Sequence, residues 1–531
     1  MRSGGRAVGR SAGIAALVLA ALPLEAQSRL WRPEDRTVIT DFSVVDAVAA
    51  SPWMVYAATR HGLLLYDRRS RSWPATVTTL DGYPMSRVRV ALADPVGNAV
   101  WLGTDEGWAR YDADAKRWDR GPTPGGVSWM MLDGADPGGG VFLRSATGWN
   151  FLPRGGLVPM SNTPLPPLEH RVLPLDVRTA LNTAPMAEAQ RALILSDPRL
   201  HSFQFTAAAR TSDDNTLYFG TNGLGLVSLD PTLAQWEPLN FSLLAAGADA
   251  LALGADGVWA VSSANIGGKS GITWLPADLR TTTPLEPPPG NGIGTARVRR
   301  ALLVGRVLWL ATDAGLFQMD PETGRTRRFA LGDGLPSEDV RALAPAPDGV
   351  WIGTTQGLAV ITTGDQVVRV GTGAQSVLSL LAVRETLWVG TAVGLGVLPP
   401  GAQEPVVPPG IGAEPTLRDP ILGLARTGDT LVAVLDDQIA WRDPQSGRWT
   451  LERLRAALGR IGGVASDAGG VWLGGSLGLA WYNIGRKRFQ VLTIPGDLPA
   501  PVRDVAVAAP WVWVATDSGV VRLRRDEVTG R

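Results

Sequence analysis

One pattern of apolar and polar positions recurs along the chain: apolar, aromatic, apolar, Gly or Ala, Thr or Ser, two or three polar residues, Gly, apolar. Clear copies are VWLGTDEG from Val100, LWLATDAG from Leu308, VWIGTTQG from Val350, LWVGTAVG from Leu387, VWLGGSLG from Val471 and VWVATDSG from Val512. Weaker copies start at Val55, Val141, Leu217, Val258 and Leu431, which makes eleven. The aromatic position falls at Tyr56, Trp101, Phe142, Tyr218, Trp259, Trp309, Trp351, Trp388, Val432, Trp472 and Trp513, at intervals of 37 to 50 with one of 76. Alternating β-branched and aromatic residues predict a strand, and Gly-containing polar runs predict tight turns. A second landmark nearly holds its register: Asp67, Asp112, Asp230, Asp320, Asp443 or Asn483 follows eleven residues on, twelve for Asp230, and then Trp73, Trp118, Trp236, Phe329, Trp449 or Phe489 six later, nine for Phe329.

In the copy around Trp309, the run Leu316–Met319 reads as a second strand and Asp320–Gly324 as an Asx-type turn. Arg327–Phe329 opens an outer strand, Gly334-Leu335-Pro336 breaks it, and Val340–Leu343 begins the next unit. Four short antiparallel strands in about 40 residues are one blade of a β-propeller. The expected fold is therefore all-β, with 11 to 12 four-stranded blades. Ordinary propellers have about 4–8 blades, so two consecutive propellers are expected, with one large ring as the alternative. Residues 27–285 would form the first and 286–531 the second, divided at the Pro-rich stretch 279–294. The interval of 76 predicts a helical insertion over about 160–200, centred on 182–195, with a hidden blade as the alternative. The chain stops after an inner hairpin, so residues 27–42 are expected to supply the outer strand of the last blade and close the ring.

The stretch LGDGLPSEDVRALAPAPDGVWIGTTQGLAVI, residues 331–361, resembles the two-component regulator propeller repeat. That resemblance implies paired propellers that sense or bind ligands, often carbohydrate, outside the cytoplasm. The sequence ends at Arg531 without a kinase or DNA-binding segment, so signalling is expected to require a separate effector protein.

Composition narrows the function. Arg2, Arg6 and Arg10 precede the apolar run 12–23, and 1–26 reads as a signal peptide, giving a periplasmic or secreted protein. No later run is long enough to span a membrane. The chain has no cysteine, which excludes disulfides and thiolate chemistry, and only three histidines. Fifty basic and fifty acidic residues balance, against a nucleic-acid partner. No metal-ligating motif and no cofactor loop is present.

Strand alternation puts the Thr-x-x-Gly turns and the Gly-Leu-Pro connections on one face, here the Thr face. Loops on a rigid scaffold carry function, and Arg60 and His61 lie in such a turn. Val-Arg recurs on predicted innermost strands at Arg89, Arg299, Arg341 and Arg503. Arginines ringing a channel mouth can bind carboxylate or phosphate bidentately; the bland reading is pairing with neighbouring aspartates or carbonyls. The expected function is a non-catalytic binding or sensor-like module for a glycan, peptide or protein, with no catalytic residue. The alternative is a propeller enzyme, a lyase or glycan-active hydrolase. It would use His61 with loop-face carboxylates, as virginiamycin-type lyase propellers pair a histidine with metal-binding carboxylates.

Overall fold

The computed structural model describes residues 31–183, 194–196, 201–230, 232–233, 235–263, 269–287, 293–371, 373, 375–408, 415–454 and 457–530. The expected signal peptide lies outside them. The described chain folds into eleven antiparallel sheets, one for each copy of the repeat. Numbered in chain order, blades 1 to 4 cover residues 45–77, 88–122, 129–172 and 194–239. Blades 5 to 10 cover 250–285, 298–329, 340–370, 377–398, 423–453 and 461–493. Blade 11 covers 502–524 and takes its fourth strand from Arg36–Ile39.

That fourth strand is the expected closure. Arg36, Thr37, Val38 and Ile39 pair with Leu523, Arg522, Val521 and Val520, and Trp31 Nε1 donates to Asp497 Oδ1 at 2.8 Å. Joining the first strand to the last blade removes a free sheet edge.

The conserved letters of the repeat have local causes. Each turn threonine is a clamp: Thr312 Oγ1 donates to the Gly315 carbonyl at 2.7 Å and accepts the Ala314 N–H at 3.1 Å. Thr354 and Thr516 repeat the bond to Gly357 and Gly519. Each landmark Asp or Asn caps its turn; Asp443 Oδ1 accepts the N–H groups of Gln445 and Ser446. The following aromatic covers its own sheet, as in Tyr66–Trp73, Tyr111–Trp118 and Tyr482–Phe489, with ring centroids 4.4 to 5.0 Å apart. A Gly near the end of the second strand admits the next blade. A Cβ on Gly353 would sit 2.5 Å from Val377, and one on Gly474 2.4 Å from Val502.

These blade-to-blade contacts reveal the order in space. The innermost strands of blades 5 to 11 adjoin one another in sequence, and that of blade 11 returns to blade 5. All seven line one central channel. The Ala248 N–H before blade 5 donates to the Thr516 carbonyl of blade 11 at 3.0 Å, which seals the ring. The other four blades pack in the order 4, 1, 2, 3: Gly220 of blade 4 faces Val45 of blade 1, and Gly103 of blade 2 faces Val127 before blade 3.

The boundary expected at 285/286 falls inside the seven-bladed ring. Blade 5 shares a core with blade 6 through Ala250, Val261, Ile272, Val298, Leu308 and Phe317. Blades 1 to 4 are spliced between the closing strand Arg36–Ile39 and blade 5. The two groups meet where Phe42 stacks on Phe241, 6.5 Å between centroids.

The long interval holds no further four-stranded blade among the described residues. It contains the short strands Met160–Ser161 and Arg171–Val172, which flank blade 3, and a helix Val177–Thr183. Asp176 caps that helix, accepting the N–H groups of Arg178 and Thr179, and Ala180 and Leu181 pack against Phe205 and Phe219 of blade 4. This helix overlaps the expected 182–195 only at Asn182 and Thr183. Ile194–Ser196 is a strand, and 184–193 lie outside the described residues.

Candidate functional site

The recurring Val-Arg pair has a geometric origin. On the innermost strands of blades 2, 6, 7 and 11 the register shifts by one residue between Val88 and Val90, Val298 and Arg300, Val340 and Ala342, and Val502 and Asp504. Arg89, Arg299, Arg341 and Arg503 are the extra residues of these β-bulges, which re-aim a side chain away from the ladder. Each bulge lies at the Thr-face end of its strand, since Val298 pairs with Thr312, Val340 with Thr354 and Val502 with Thr516.

Three of the four arginines share the mouth of the seven-bladed ring. Arg299 Nε donates to Asp339 Oδ1 at 2.7 Å, and Arg341 reaches Oδ2 of the same carboxylate with Nε at 3.3 Å and Nη2 at 3.1 Å. Arg503 holds Asp517 through Nε at 2.5 Å and Nη2 at 3.0 Å, a pairing that raises its pKa further. A guanidinium carries five N–H donors, so each arginine keeps donors beyond its aspartate. Asp249 stands at the same end, half-screened: burial pushes its carboxyl up, while the Ser263 N–H and Oγ, at 2.8 and 2.6 Å, hold it down.

The remaining candidates lie elsewhere. Arg89 belongs to the four-bladed group, where it pairs with Asp105. Arg60 and His61 are exposed in the clamp turn of blade 1, with the His61 N–H bonded to Thr59 Oγ1 at 3.2 Å. No cluster of three or more His, Asp or Glu able to hold a metal occurs among the described residues.

Two charged residues that the sequence reading passed over sit inside the channel. The residue after the bulge faces the small residue of the second strand: Ala342 opposite Gly353, Ser379 opposite Gly390, Gly463 opposite Gly474. Blades 6 and 11 put Arg300 and Asp504 at this position. Asp504 is buried; its Oδ2 accepts the Leu251 N–H of blade 5 and its Oδ1 the Val505 N–H, each at 3.0 Å. Burial pushes its carboxyl up, against the pull of Arg300. Arg300 donates to the carbonyl of Arg299 at 2.9 Å and, from blade 6 to blade 10, to that of Gly462 at 2.8 Å. The signal was present as a break in the small-residue rule, visible only once the bulges align the blades.

No family model matches the chain, and no curated protein matches it. Among solved structures it is similar to the extracellular domain of the putative hybrid two component system BT3049 from B. thetaiotaomicron. The identity is 14%, the TM-score 0.43, and the match covers 92% of this chain and 69% of that one. The corresponding domain of BT4673 from the same organism gives 12% identity and a TM-score of 0.44, over 91% of this chain and 70% of that one. Virginiamycin B lyase from Staphylococcus aureus gives 14% and 0.42, over 52% of this chain and 95% of that one. The architecture stands on the sheets, their register and their packing rather than on these likenesses. No helix among the described residues is long and apolar enough to cross a membrane.

Proposed function

We propose that this chain is an exported, non-catalytic propeller protein whose seven-bladed ring binds an anionic partner, an acidic glycan or peptide, at its Thr-face mouth. The observation that carries this reading is the grouping of Arg299, Arg341 and Arg503, each presented on a bulge and each with donors to spare after meeting Asp339 or Asp517. Planar guanidinium forks on a rigid rim suit bidentate recognition of carboxylates. The apolar segment behind Arg2, Arg6 and Arg10 supports export to the periplasm or medium. The repeat's resemblance to two-component regulator propellers supports a sensor-like role. The ring of blades 5 to 11 with residues 36–39 is the binding unit, and blades 1 to 4 are an inserted second unit.

The test is calorimetric titration of the mature protein with an oligogalacturonide at low and high salt. Affinity should fall with salt and drop about tenfold, or ~1.4 kcal/mol, in each of Arg341→Ala and Arg503→Ala, with an unchanged circular dichroism spectrum. Equal affinity in wild type and both variants would refute the mouth as the site.

A further inference from the structure

The channel beneath the mouth is a separate feature. Its cavity of about 400 Å³ is walled by the innermost strands of all seven blades. A dry apolar cavity of about 150 Å³ accommodates a benzene molecule, so this one has room for a small metabolite with water. The wall carries half-exposed aliphatic side chains, among them Leu302, Leu343, Leu380 and Val464. Its charged lining residues are Arg300 and Asp504.

Their arrangement is unusual for a purely structural ion pair. Arg300 Nη1 and Asp504 Oδ1 are 4.0 Å apart, too far for a hydrogen bond. Each is instead fixed by backbone: the guanidinium by two carbonyls, the carboxylate by two N–H groups. A positive and a negative group are thus anchored side by side in the channel wall. The Arg300 side chain remains one-third exposed and that of Asp504 one-tenth. The complement of such a pair is a molecule with a carboxylate and an ammonium on one carbon atom. Laid antiparallel, its carboxylate meets Arg300 and its ammonium meets Asp504, and each of the four charges has an opposite neighbour.

We propose that the channel of the seven-bladed ring is a binding site for a free α-amino acid with an aliphatic side chain, held by Arg300 and Asp504. The site does not use the mouth arginines. A cation beside Asp504 would also relieve the burial that disfavours its charged form.

The test is calorimetry on the full mature chain with L-leucine, N-acetyl-L-leucine, which lacks the ammonium, and L-leucinamide, which lacks the carboxylate. Leucine should bind at millimolar concentration or below, and each derivative at least tenfold more weakly. Asp504→Asn should reduce leucine to the level of its acetylated form, and Arg300→Gln to that of the amide. Arg341→Ala should leave leucine binding unchanged. Absence of leucine binding to the wild-type chain overturns the proposal. So do derivatives that bind as well as leucine, a comparison that needs no variant to fold. Loss of leucine binding in Arg341→Ala would place the site at the mouth and overturn the channel assignment alone.

Discussion

Arg522 Nη1 donates to the carbonyl of Ala277 at 2.6 Å, joining blade 11 to blade 5 across 245 positions of the chain. The same guanidinium lies 4.0 Å from the ring centroid of Trp511, and its Nη2 donates to Thr37 Oγ1 at 3.3 Å on the closing strand. One side chain therefore ties together the three pieces that meet at the seam. Burial lowers its pKa to about 10, with Asp278 pulling the other way, so it stays charged at neutral pH. Arg522→Ala should destabilise the protein by about 2–4 kcal/mol, because a buried, stacked and hydrogen-bonded cation is lost. Arg522→Lys should recover only part, since an ammonium cannot stack and reach both oxygens. Urea denaturation of the three proteins measures both effects.

Spacing between blades makes a sharper steric prediction. A Cβ on Gly353 would lie 2.5 Å from Val377 of the following blade, whereas nothing lies within 4 Å of the Cβ position of Gly332. Gly353→Ala should cost about 1–3 kcal/mol as an overpacking change, and Gly332→Ala should stay within about 0.5 kcal/mol of wild type. Comparable losses at both sites in thermal melts would contradict the packing described.

Asp339 pairs with two mouth arginines at once. Asp339→Asn removes that competing carboxylate and should raise the affinity of the mouth for an anionic glycan several-fold, most strongly at low salt, where charge is least screened. Titration at two ionic strengths checks this, and a weakened affinity would be the contrary result.

Asp504 gives a pH signature. Its folded-state pKa is raised, by burial first, so the native state holds this proton more tightly than the unfolded chain does. The stabilisation is complete below about 4, the ordinary aspartate value, and is lost as pH rises through the folded value. Asp504→Asn should therefore flatten the decline in stability between pH 4 and neutrality, as urea midpoints at successive pH values would reveal. A decline identical to that of wild type would show that Asp504 is not its source.

The blade count and the closure were legible because they depend on local chemistry repeated many times: clamp threonines, capping aspartates, and a small residue, Gly or Ala, where the next blade approaches. Order in space was not. The Pro-rich run 279–294 reads as a linker, yet its Thr283–Leu285 is the outer strand of blade 5. The true junction, 240–249, contains Phe241, Leu243, Ala245 and Ala248, all buried, so its composition is that of core. Placement of blade 4 beside blade 1 depends on contacts such as Thr206 Oγ1 to the Val45 carbonyl at 2.5 Å, far apart in sequence and without a motif. The bulge arginines were legible as Val-Arg pairs. Arg300 and Asp504 were not, because each departs from the pattern in a single blade.

The absence of cysteine makes the ring closure open to direct measurement. Val38 and Val521 are paired across the closing strand and the last blade, a separation that a disulfide can span. In Val38→Cys/Val521→Cys, mild oxidation of the native protein should consume both thiols in an intramolecular disulfide and raise the melting temperature above that of the reduced form. Two thiols that remain free in the native protein, or that link only between chains, would contradict the closure of the last blade by Arg36–Ile39.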